Sequence, residues 1–138
     1  MHLTVTHALA AEPAAVWRLL ADGGRVERWF PWVAATIVDD PREGGLRRIE
    51  LEDGAFDEHI TLNDEATRTY QYYAAEPPLP FRHVIGTIRI GRHADGAVSI
   101  GWYVSFEVTP ETPPDFIATL RGLYAQALER IDAVAVAS

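Results

Sequence analysis

Glu58 is the residue of this 138-residue chain best suited to chemistry, because of the company it keeps along the backbone. Over residues 55–62, Phe56, Glu58, Ile60 and Leu62 share one parity, while Asp57, His59 and Thr61 share the other. Alternate side chains of a strand face opposite sides, so turning the apolar parity inward carries a carboxylate in with it. Such a group must be protonated, or paired with a cation or a hydrogen-bond donor. Arg48, close by on the same hairpin, is the expected partner through a bidentate guanidinium–carboxylate bond. The pair is suited to anchoring a ligand or moving a proton, and a purely structural ion pair would use the same residue types. His83, beside the proline-rich run 76–80, has the pKa range of a general base. Glu58, Arg48 and His83 are therefore the candidate catalytic residues.

The candidate binding residues are aromatic. Tyr70 and Tyr72 share a parity, and with Trp102 and Tyr124 they would give an amphipathic cavity flat walls and hydroxyl donors. Trp29 and Phe30 sit with Trp17 and Trp32 around two short helical segments, where filling a core is the alternative use. The five histidines lack H-x-x-x-H or H-x-H spacing and there is no cysteine, so no metal site is expected. No Walker loop, dinucleotide glycine pattern or G-x-S-x-G elbow occurs, and no cofactor is expected. All twelve basic residues are arginines, set against twenty acids for a formal charge of −8. That field disfavours nucleic acid and anionic membrane surfaces as partners. The opening residues lack a basic n-region and an apolar h-region, so cytoplasm is the expected compartment. A homodimer stays open.

These residues need elements to hold them. Length and a 48% hydrophobic composition predict one domain over residues 1–138. Leu3, Val5, His7 and Leu9 alternate as in a half-buried strand. Pro13 opens a short helix ended by Asp22-Gly23-Gly24, and Pro31 stops a second over 25–30. Six strands follow at 33–38, 46–51, 55–62, 67–73, 81–91 and 97–108, separated by turn residues, with Asp53-Gly54 suited to a tight reversal. Short connections favour a meander of antiparallel neighbours. The last helix, over 113–134, has Thr112 as N-cap and an apolar stripe of Phe116, Leu120, Leu123, Tyr124, Ala127, Ile131 and Val134. At 1.5 Å per residue it spans about 33 Å and must lie across the strands. Gly122 is the odd residue within it, costing up to about 1 kcal/mol relative to alanine unless close packing or a cavity needs the room. The fold class is α+β, a curved antiparallel sheet around a long C-terminal helix.

With Pro13-Ala14-Ala15-Val16-Trp17 opening the first helix and Glu27-Arg28-Trp29-Phe30-Pro31 closing the second, the chain resembles the START/SRPBCC superfamily. Gly45-Leu46-Arg47-Arg48, Phe56-Asp57-Glu58-His59-Ile60 and Ile100-Gly101-Trp102-Tyr103-Val104-Ser105-Phe106 are similar to its bacterial polyketide cyclase/dehydrase-like branch. That branch typically shows a Gly-x-x-Arg start to one strand, an isolated Glu in the next, and Trp-x-x-x-Phe near the last. The resemblance implies a helix-grip fold, with the two short helices as a gate over a cavity. Relatives range from lipid and hormone binders to polyketide aromatase/cyclases, so fold alone assigns no reaction. Three readings follow: a binder of a small hydrophobic or aromatic molecule; a cofactor-free cyclase, aromatase or dehydratase using Glu58, Arg48 and tyrosine hydroxyls; or an interaction platform with a solid interior.

Overall fold

In the computed structural model, which describes residues 1–138, the alternating N-terminal segment is strand β1 (His2–Ala8), and Pro13 opens helix α1 (Pro13–Ala21). A single 3-10 turn at Val26–Arg28 replaces the second short helix. It begins after Arg25, which takes a left-handed conformation (φ 54°), and Pro31 bars its extension. Strands β2 (Ala35–Val38), β3 (Leu46–Leu51), β4 (Gly54–Asp64), β5 (Thr69–Ala74), β6 (Phe81–Arg92) and β7 (Val98–Val108) then run as a meander into helix α2 (Phe116–Val136). All pairings are antiparallel, in the order β1-β7-β6-β5-β4-β3-β2. The first strand thus closes beside the last.

Helix α2 starts three residues later than its sequence pattern suggests. Thr112 does not cap it: the Thr112 hydroxyl donates to the Pro80 carbonyl and accepts from the Thr109 amide at 2.8 Å, fastening the β7–α2 connection to the proline loop. Pro114 also disfavours the α conformation at Pro113. The expected stripe is buried at Phe116, Leu120, Tyr124, Ala127 and Ile131, joined by Leu128 and Ala135. Gly122 is exposed with nothing within 4 Å of a notional Cβ, so neither packing nor a cavity requires glycine there.

Asp132, buried on the same helix, ties it to the end of β1. Its carboxylate accepts from the Ala11 amide at 2.8 Å, the Ala10 amide at 3.0 Å and His7 Nε2 at 2.8 Å. Burial pushes this carboxyl up, but the Ala10 and Ala11 amides and His7 more than offset that and hold it below the ordinary range.

A β-bulge in β4 changes which residues face the core. Ile60 stands opposite Tyr72, whereas Leu62 stands opposite Gln71, so one residue is extra at Thr61. Leu62 therefore leaves the parity of Glu58 and Ile60, against the regular-strand expectation. Asn63 takes the inward position opposite Tyr70 and donates to the carbonyls of Ala21 and Pro41 at 3.1 and 2.8 Å.

Candidate functional site

The site is built from the middle of the sheet. β3 and β4 join through a two-residue turn, so Leu51 faces Gly54 and, counting back, Arg47 faces Glu58 directly. Both side chains turn inward, with 5% and 8% exposure, and Arg47 Nε donates to Glu58 Oε1 at 2.7 Å. Arg47 Nη1 also donates to the Gly23 carbonyl at 3.1 Å, tying the sheet to the turn after α1. The guanidinium lies 5.0 Å from the Tyr70 ring centroid and 5.4 Å from that of Tyr72, a desolvated cation–π arrangement. Burial pushes the Glu58 carboxyl above its ordinary range, and the adjacent guanidinium pulls it only part of the way back.

Glycine makes room for the next component. Tyr72 stands opposite Gly86 on β6, and a Cβ on Gly86 would lie 2.1 Å from Tyr72 Cζ. Only a residue without a side chain lets that ring lie across the strand. There its hydroxyl accepts from Trp102 Nε1 at 3.2 Å. Trp102 in turn stacks on Tyr124 of α2, with centroids 4.2 Å apart and planes at 19°. Phe30 meets Trp102 and Tyr124 edge-on at 5.5 and 5.7 Å, and Trp29 meets Trp102 at 5.9 Å. Burial raises the Tyr72 and Tyr124 hydroxyls, which therefore stay protonated as donors.

Between these groups lies a cavity of about 60 Å³, lined by 18 residues of which 15 are hydrophobic. Arg47 and Glu58 are its only charged lining residues. Of the aromatic candidates, Trp29, Phe30, Tyr72, Trp102 and Tyr124 line it. Three expectations need correction. Arg48 is on the outer face, half exposed, 3.6 Å from Asp57 and 4.0 Å from Glu50, because neighbouring strand positions alternate. His83 is exposed at a left-handed position (φ 53°), its Nδ1 3.0 Å from the Tyr73 hydroxyl, and is outside the cavity. Tyr70 is buried on the inner face but lies beyond Arg47 and does not line the cavity. Its hydroxyl is the one buried side-chain polar atom without a partner. No cluster of three or more His, Cys, Asp or Glu side chains is placed to hold a metal, and no helix is long and apolar enough to cross a membrane.

The model of the family described as polyketide cyclase / dehydrase and lipid transport matches residues 1–136. The chain belongs to that family. Among solved structures resembling this family member is XoxI from Bacillus cereus, at TM-score 0.80 and 20% identity over 98% of this chain and 95% of that one. Ginseng major latex-like protein 151 from Panax ginseng aligns at TM-score 0.80 and 14% identity, covering 99% and 97% of the two chains. A Thermobifida fusca protein aligns at TM-score 0.78 and 24% identity, covering 97% and 92%. These likenesses fit the helix-grip fold that the sequence resemblance implies. No curated protein matches the chain.

In this family member the Gly-x-x-Arg pattern points to the outer arginine, and Arg47 is the buried one. Its own strand carried the signal: Arg47 shares a parity with Ile49 and Leu51, whereas Arg48 shares one with Leu46 and Glu50. Gly86 carried no such mark, since its role is set by a ring on the neighbouring strand.

Proposed function

We propose that the protein, acting as one domain over residues 1–138, binds a small hydrophobic or aromatic molecule in the cavity between the sheet, α2 and the 3-10 turn. The observation that carries this reading is an apolar interior space with one charge-balanced polar spot, Arg47 with Glu58, on its wall. An interior packed solely for stability has little use for a buried ion pair, because desolvation offsets much of its Coulombic gain. At about 60 Å³ the space holds a few waters, well below the roughly 300–1,000 Å³ of ordinary ligand sites. Binding therefore widens it. The segment bearing Trp29, Phe30 and Trp32 is the wall suited to move, since it is held by a single 3-10 turn and not by a strand ladder.

Native mass spectrometry of freshly purified protein tests the reading. A bound small molecule, released on denaturation, is the expected result. The reading fails if the protein flies bare and a panel of hydrophobic aromatic compounds leaves its tryptophan fluorescence unchanged.

One observation favours a catalytic use of the same cavity. Glu58, raised by burial, is a group able to hold and return a proton beside the hydroxyls of Tyr72 and Tyr124. A cyclase, aromatase or dehydratase would lose turnover but keep binding in Glu58→Gln. A pure binder shows no conversion in either form.

A further inference from the structure

The binding reading above leaves open which ligands the cavity accepts, and the hydrogen bonds around its polar spot bear on that choice. Glu58 has two carboxylate oxygens, and only Oε1 is engaged, by Arg47 Nε. No protein donor reaches Oε2, and the residue lines the cavity. Arg47 has five N–H bonds to donate. Nε serves Glu58 and Nη1 serves the Gly23 carbonyl, while the rings of Tyr70 and Tyr72 flank the guanidinium. The cavity thus offers an unfilled acceptor beside unfilled donor capacity. The Tyr124 hydroxyl lies on the same wall and interacts with that of Tyr72.

Charge restricts the choice further. One cation and one anion, in contact at 2.7 Å, already cancel, and no other charged residue lines the space. A ligand carboxylate would compete with Glu58 for a guanidinium already in use, and would leave one negative charge unbalanced in an apolar enclosure. A ligand ammonium would compete with Arg47 for Glu58 and leave one positive charge. Either case incurs the desolvation cost of an unpaired buried ion. A neutral group with a donor beside an acceptor satisfies both free valences without that cost.

We propose that the cavity selects neutral ligands bearing an adjacent hydrogen-bond donor and acceptor, such as a carboxamide or an enolised ketone on an aromatic body, over the ionised acid or amine of the same body.

Three probes sharing one ring system test this: naphthamide, naphthoate and naphthylmethylammonium, each titrated near neutral pH. The indole N–H signal of Trp102, which donates to Tyr72, reports occupation of the cavity. Naphthamide is expected to bind at least about tenfold more tightly than either ion, a difference of about 1.4 kcal/mol. Glu58→Gln, which leaves Arg47 unbalanced, is expected to reverse the order in favour of naphthoate. Should that variant fail to fold, the wild-type comparison stands by itself. The Arg47→Met/Glu58→Leu double variant, which removes both charges together, supplies a second arm in which the preference for naphthamide falls to within about threefold. Naphthoate or naphthylmethylammonium binding as tightly as naphthamide to the wild type overturns the selectivity while leaving the binding reading intact. Failure of all three to move the Trp102 signal overturns both.

Discussion

Replacing Gly86 by alanine should displace Tyr72 and disturb the site without touching a polar group. The added Cβ would lie 2.1 Å from Tyr72 Cζ, 2.3 Å from its hydroxyl oxygen and 2.5 Å from Cε1, all closer than nonbonded atoms tolerate. The ring is buried on a strand between two others, so it cannot simply swing into solvent. Overpacking of this kind costs about 1–3 kcal/mol. Pulling the hydroxyl away from Trp102 Nε1 leaves a buried indole donor unsatisfied, at about 1–3 kcal/mol more. A loss of about 2–6 kcal/mol is expected, or a fall in Tm on the order of 10 °C. Gly91→Ala on the same strand is the control: nothing lies within 4 Å of its notional Cβ, and it should change stability by less than about 0.5 kcal/mol. Urea denaturation gives the stabilities, and the Trp102 indole resonance reports the broken bond. In a Tyr72→Leu background most of the Gly86→Ala penalty should vanish, a coupling of at least about 1.5 kcal/mol. Wild-type stability in Gly86→Ala, or strict additivity with Tyr72→Leu, would refute the placement of the ring.

Three other outcomes are expected. Arg47→Met should cost about 3–5 kcal/mol by stranding Glu58, whereas Arg48→Met, on a half-exposed side chain, should stay within about 0.5 kcal/mol; chemical denaturation of the pair separates them. Asp132 is held below its ordinary range in the folded state, so its contribution is complete above the unfolded-state value and is lost as pH falls through the folded one. Asp132→Asn should therefore flatten the acid limb of a stability–pH curve. Glu58 has the opposite sign: the folded protein keeps a proton the unfolded chain has already released, so stability declines as pH rises from the ordinary carboxylate range to the higher folded value. Glu58→Gln should remove that slope, as read from denaturation midpoints across the window.

The order of elements was legible because each signal was local: alternation in β1, proline at the start of α1, turn residues between strands, and the stripe on α2. The placing of Glu58 and of five of the six aromatic candidates on the cavity wall was legible for the same reason, since strand parity and aromatic type can be read one residue at a time. What failed was pairwise. Arg48 was preferred over its neighbour for lying near the same hairpin as Glu58, with no register to decide which arginine faces it. The two-residue turn, with Leu51 opposite Gly54, sets Arg47 against Glu58. The Thr61 bulge likewise leaves no mark in the alternation of 55–62, and Thr112 lost its capping role to a carbonyl 32 residues away. His83 had a suitable side chain, but its exposed position on β6 was invisible without the sheet.

The Arg47–Glu58 contact also bears on how the β3–β4 hairpin assembles. A slip of one residue would still set an arginine against an acid, with Arg48 replacing Arg47 opposite Glu58 or Asp57 replacing Glu58 opposite Arg47. What a slip loses is the apolar face, because Arg48 brings Glu50 inward in place of Ile49, and Asp57 brings His59 inward in place of Ile60, so the register is set by the apolar neighbours of the ions. Erasing both charges with apolar residues should thus leave the threading intact, visible as single-phase refolding no slower than that of the wild type at unchanged or improved equilibrium stability.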